Sequence, residues 1–65
     1  MLRLDREVDL TCIETDKVAK GKIVRIQGNR VDVALDQGGL LISLYMKKPG
    51  RYVGSQSGLE FVMRV

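Results

Sequence analysis

Apolar and polar side chains alternate through most of this chain, and the alternating runs are separated by short clusters of glycine, asparagine, aspartate and proline. A period of two marks strands with one buried face, because successive side chains point to opposite sides of the backbone. From Leu2 the even positions read Leu2, Leu4, Arg6, Val8, Leu10 and Cys12, against Arg3, Asp5, Glu7, Asp9 and Thr11. This is a half-buried strand with Arg6 as the one charge on its apolar side. Thr15-Asp16-Lys17 then supplies turn chemistry. A second strand, about Lys20 to Gln27, carries Ile23, Val24 and Ile26, and its mixed content leaves its inward face open. Gly28-Asn29 suits a type II′ hairpin, which needs glycine at the first central position. The third strand sets Val31, Val33 and Leu35 against Arg30, Asp32 and Asp36, and Asp36-Gln37-Gly38-Gly39 ends it. The fourth, Leu40 to Met46, places Leu40, Ile42, Leu44 and Met46 on one face, with Leu41 and Tyr45 opposite. Lys47-Lys48-Pro49-Gly50 is a turn. Arg51-Tyr52-Val53 forms a short strand and Gly54 to Gly58 a loop. The last strand sets Leu59, Phe61, Met63 and Val65 against Glu60 and Arg64, and is expected at a sheet edge.

No window sustains a helical period with caps at both ends. A sheet this apolar with no helix to cover it must curl on itself. The expectation is an all-β fold, a small antiparallel five- to six-stranded barrel or roll, in one domain spanning residues 1–65. A chain of this length hides only about 60% of its unfolded surface. A marginal core and an open strand edge together predict a homodimer.

The composition argues against catalysis. There is no histidine to move protons at neutral pH. The lone Cys12 cannot make an internal disulfide or a zinc cluster, and its parity with Val8 and Leu10 makes it a small buried hydrophobe. The row Asp5, Glu7 and Asp9 reads as a solvated outer face rather than a cation site. No metal and no cofactor are expected. No apolar run is long enough for an export signal or a membrane span, so a reducing cytoplasm is expected, away from any membrane.

The formal net charge of +3 is unevenly spread: residues 1–16 sum to −3 and residues 17–65 to +6. This predicts a barrel with an acidic and a basic side. Any anionic ligand is expected on the side of Lys22, Arg25 and Arg30, the latter two flanking the Gly28-Asn29 hairpin. Arginine holds phosphate in a planar, two-pronged way. Arg3 and Arg6 complete the set of candidate ligand-binding residues, Arg6 because it interrupts an apolar face. A second basic group is Lys47, Lys48 and Arg51.

Two families resemble this chain. Arg6-Glu7-Val8-Asp9-Leu10 looks like the opening strand of the PilZ family, small bacterial β-barrels associated with cyclic di-GMP. Gly21-Lys22-Ile23-Val24-Arg25-Ile26 resembles the strand leading into that family's second motif, and Gly58-Leu59-Glu60-Phe61-Val62 its closing strand. The resemblance implies a regulatory binding module. Its ligand would be a cyclic dinucleotide held by Arg3, Arg6, Arg25 and Arg30, or a partner protein. The departures favour the protein. Arg3 and Arg6 are one residue closer than the family's Arg-x-x-x-Arg. The Asp/Asn-x-Ser-x-x-Gly motif would fall on Arg25, Gln27 and Arg30, and the chain is shorter than a usual member.

Met1-Leu2-x-Leu4-x-Arg6-x-Val8 and Gly28-Asn29-Arg30-Val31 are similar to the carbon-storage-regulator family of small dimeric RNA-binding proteins. That likeness implies RNA as the alternative partner, contacted through Leu4 and Arg6. The family's His-Arg-Glu-Glu element and charged C-terminal helix are absent. The run from Lys22 to Val33 also resembles SH3-like barrels, which implies a protein-interaction module.

Overall fold

In the computed structural model, which describes residues 3–64, the chain is all β. Its six strands are β1 (Glu7–Cys12), β2 (Val18–Gln27), β3 (Arg30–Leu35), β4 (Leu41–Lys48), β5 (Arg51–Gln56) and β6 (Leu59–Arg64). Each strand pairs antiparallel with the next, and β6 pairs with β1, so the sheet closes into a barrel. The inward positions meet along its axis. Leu10, Ile23, Val31, Val33, Ile42, Leu44 and Met63 are fully buried, with Val8, Cys12, Tyr52 and Phe61 packed around them. Burying a large aliphatic side chain contributes about 1.5–3 kcal/mol, so these few residues dominate the stability of so small a domain.

The turns follow from their residues. Gly28 has φ 57° while Asn29 stays outside the left-handed region, the pattern of the expected type II′ hairpin between Gln27 and Arg30. Pro49-Gly50 joins Lys48 to Arg51, with Gly50 at φ 81°. Ser57 and Gly58 both take positive φ, 55° and 77°, which is type I′ geometry. That turn corrects the expected loop from Gly54 to Gly58: β5 continues through Gln56, paired with Leu59.

Other expectations change for identifiable reasons. The expected start of the first strand, Leu2, lies outside the described residues. Leu4 and Asp5 form a turn with Asp5 at φ 65°, and β1 starts at Glu7. Arg6 therefore precedes the strand and is exposed, rather than interrupting an apolar face within it. β2 starts at Val18 and carries a bulge between Ile23 and Arg25. The extra residue, Val24, breaks the parity, which is why no single face of this run reads as apolar. Leu40 and Met46 sit at opposite ends of the fourth run and remain 48% and 37% exposed, so only Ile42 and Leu44 reach the centre. Finally, β6 pairs with β5 along its whole length and with β1 through Leu10–Met63, Thr11–Val62 and Cys12–Phe61. It is not an edge, and the edge argument for a homodimer lapses.

Two glycines let so narrow a barrel close. Gly21 on β2 lies against β3: a Cβ there would stand 2.7 Å from the Ala34 carbonyl oxygen. Gly54 on β5 lies against β4, where a Cβ would overlap the Ser43 carbonyl oxygen. In both cases the nearest atom is a backbone carbonyl oxygen that cannot swing aside, with a buried methyl of Val33 or Leu44 close behind at 2.8 Å. Gly54→Ala is therefore expected to destabilise the fold by about 2–3 kcal/mol, the upper range for overpacking. In thermal melts that lowers the midpoint by roughly 10 °C or more, whereas a midpoint within about 2 °C of wild type would contradict the tight-corner account.

Candidate functional site

An antiparallel meander sends alternate connections to opposite ends of a barrel. The segment before β1, the 28–29 turn, the 49–50 turn and the end of β6 share one end. The 13–17, 36–40 and 57–58 connections share the other. The first end collects Arg3, Arg6, Lys22, Arg25, Arg30, Lys47, Lys48, Arg51 and Arg64, against Asp5, Glu7 and Asp32. The second collects Glu14, Asp16, Asp36 and Glu60, against Lys17. The two ends differ in charge but are not walled off from each other: Arg51 and Arg64 share a concavity with Asp9 and Asp16, and Lys47, Lys48 and Arg51 share another with Glu60. The acidic row of β1 is in register with lysines of β2, as Glu7–Lys22 and Asp9–Lys20, so each stretch offsets the other across the sheet.

The expected site residues Arg3, Arg6, Arg25 and Arg30 share the basic end. The Arg6 carbonyl accepts from the Ile23 N–H at 3.0 Å, which ties the segment before β1 to β2 close to Arg25. Lys22 stands three residues before Arg25 on β2, opposite Glu7 and Ala34, where Glu7 offsets its charge. Lys47, Lys48, Arg51 and Arg64 belong to the cluster, although the 1–16 versus 17–65 division gives no hint of it. The position of the 49–50 turn, an even-numbered connection of a meander, is the signal that places three of them there.

One arginine is anchored within the sheet. Arg30 Nε donates to Asp32 Oδ1 at 3.0 Å, and Nη2 reaches Asp32 Oδ2 and Ser43 Oγ, both at 3.4 Å. Arg25 stands directly across from Asp32 on β2, and Ser43 directly across on β4. Asp32 lies on the outward parity, where solvent exposure is expected, yet it is only 4% exposed. Its cover comes from these neighbours rather than from the core. Burial opposes ionisation of this carboxyl. The hydrogen bonds from Ser43 and Arg30 and the charges of Arg30 and Arg25 outweigh that cost and hold it below the usual aspartate range. The same contacts raise Arg30, chiefly through its hydrogen bond to Asp32.

Beside this clamp, Tyr45 pairs with Arg30 across β3 and β4 and is 50% exposed on the outer face. It borders an open concavity of about 320 Å³ formed with Ser43, Lys47, the β5 residues Val53, Gly54 and Ser55, and Glu60 of β6. Sequence parity put Tyr45 on the outer face but supplied no function for it. At the acidic end, the Glu14 carboxylate accepts the Glu60 backbone N–H at 3.0 Å, and the Ile13 N–H donates to the Glu60 carbonyl at 2.9 Å. The Glu60 hydrogen bond, with Glu14's own backbone N–H and the Cys12 thiol, lowers the Glu14 carboxyl against a smaller desolvation cost. Among the described residues no group of three or more His, Cys, Asp or Glu is placed to hold a metal, and no helix is long and apolar enough to cross a membrane.

Both lowered carboxyls tie stability to pH with the same sign. Each binds a proton more weakly folded than unfolded. Its stabilisation is complete above the ordinary carboxylate range of about 4 and is lost as pH falls through the lower folded value. Thermal melts of the wild type are expected to lose stability as pH drops from about 5 towards 2. Asp32→Asn should be less stable than wild type at pH 7 and show a shallower slope over that window. A parallel slope would deny Asp32 its part. No protein-family model, no curated protein and no solved structure matches this chain.

Proposed function

We propose that this chain is a non-catalytic, PilZ-like binding module that takes a phosphate-bearing anion at the basic end of its barrel. The observation that carries the reading is the strand order, which sends the segment with Arg3 and Arg6, the turn between Arg25 and Arg30 and the Lys47–Arg51 turn to the same end of a closed meander. Clustered cations on a low-dielectric scaffold raise the local concentration of anions and speed their capture. The resemblance to the PilZ family makes a cyclic dinucleotide the first ligand to try. An acidic surface on a partner protein is the second reading, and a specific contact favours it: Arg30 is already bonded to Asp32, with Arg25 facing the same carboxylate. Those guanidiniums are partly satisfied within the chain and suit a broad contact better than an enclosing grip on a small ligand.

Two measurements test this. On a heparin column, the wild type is expected to be retained and to elute early once Lys47, Lys48 and Arg51 are changed to glutamate. The same exchange at Lys17 and Lys20 should matter far less. Equal elution of the two variants would overturn the basic-end reading. Calorimetry with cyclic di-GMP then separates the ligands. Saturable heat weakened at least several-fold in Arg6→Ala supports the dinucleotide, and heparin retention without such heat supports the acidic partner.

A further inference from the structure

The outer face of β2, β3 and β4 offers more than charge. Its cross-strand row runs from Gln27 through Arg30 and Tyr45 to Val53. Tyr45 contributes nothing to the core: it projects from the outward parity of β4 and keeps half of its surface in solvent. The other tyrosine, Tyr52, shows the contrast, because it is 7% exposed and belongs to the core cluster. Around the Tyr45 ring the sheet places four kinds of group, one of them Glu60, across from Ser55 on β6, whose carboxylate can accept from the amino group of a base. Ser43 and Ser55 bring hydroxyls, which both donate and accept. Lys47, two residues along β4, brings an ammonium. Arg30, across the strand pair, brings a guanidinium whose orientation Asp32 fixes and whose side chain is still 43% exposed.

We infer that Tyr45 is the stacking platform of a nucleobase site, with Ser43 and Ser55 meeting the polar edge of the base and Lys47 and Arg30 meeting its phosphate. A flat, half-exposed ring flanked by cations suits an unstacked base, since every base presents a π-face and its phosphate lies within reach of a neighbouring cation. The concavity of about 320 Å³ between β4 and β5 gives the base a side wall in Val53. Lys48 and Arg51 continue the basic track past Lys47 into the 49–50 turn, which suits a strand of several phosphates. The inference deepens the basic-end reading and rests on it: the anion carries a base. That chemistry is shared by a free nucleotide and by single-stranded nucleic acid, and the experiment below separates them.

The chain is well suited to a direct readout, because it has two tyrosines and no tryptophan. Titration with a single-stranded heptanucleotide RNA is expected to quench tyrosine fluorescence in wild type and in Tyr52→Phe, and not in Tyr45→Phe. Binding itself is followed by anisotropy of a labelled copy of the same RNA. Tyr45→Ala should weaken it roughly ten- to hundredfold, the range for loss of one stacked base. Tyr45→Phe should stay within about threefold of wild type, since it keeps the ring. With about three phosphate contacts, affinity should fall roughly 20-fold between 50 and 200 mM salt. Adenosine monophosphate serves as the second probe. Binding of the RNA much more tightly than the mononucleotide identifies a strand, and equal binding identifies a free nucleotide, both through Tyr45. Heparin, which has no bases, separates the two readings. Salt-sensitive binding of RNA and heparin with Tyr45→Ala indistinguishable from wild type would overturn the base site and leave the basic end standing. Failure to bind either polyanion would overturn both. A folded melt for Tyr45→Ala, expected from its outward position, keeps that comparison valid.

Discussion

The seam between β1 and β6 is the interaction on which the rest depends. Five of the six strand contacts follow from neighbours in sequence, joined by short turns that bring them together locally. The sixth joins the two ends of the chain through Leu10–Met63, Thr11–Val62 and Cys12–Phe61. Its closure entropy is the largest in the molecule and its register pairing is short. The acidic end reinforces it: Glu14 and Ile13, in the turn after β1, hold both backbone groups of Glu60. Closing this seam buries Leu10 and Met63 completely and leaves the described strands without a free edge.

Strand order decides to which end each charged turn goes. The meander order sends alternate turns to opposite ends, and closure bends each row of turns into a rim. Acids and lysines of β1 and β2 face each other in register, and the surplus of arginine and lysine is left at the rim that holds the 28–29 and 49–50 turns. The Arg30–Asp32 clamp sits just inside that rim and stiffens the sheet on which Tyr45 is displayed.

Much of this is legible in the sequence. The alternation in Val31-Asp32-Val33 and Leu59-Glu60-Phe61 specifies strands, and Gly28-Asn29 and Pro49-Gly50 specify their turns. What stays hidden is the part set by neighbours distant in the chain. Gly54-Ser55-Gln56 has the composition of a loop, but its glycine is needed where β5 presses on the Ser43 carbonyl. Asp32 has the parity of a solvated residue, and only the arrival of Ser43 and Arg30 around it removes it from water. Val24 looks like one more apolar residue of a strand, and only the pairing with β3 reveals it as a bulge. The candidate arginines can be named from their type, whereas their convergence depends on the strand order.

The central claim is that the closed meander presents a single anion-binding rim. Backbone amide shift mapping by NMR with a short single-stranded RNA tests it most directly. The account predicts perturbations concentrated at residues 3–6, 28–30 and 45–51. Perturbations at residues 13–17 and 36–40, or scattered evenly over the barrel, would contradict it.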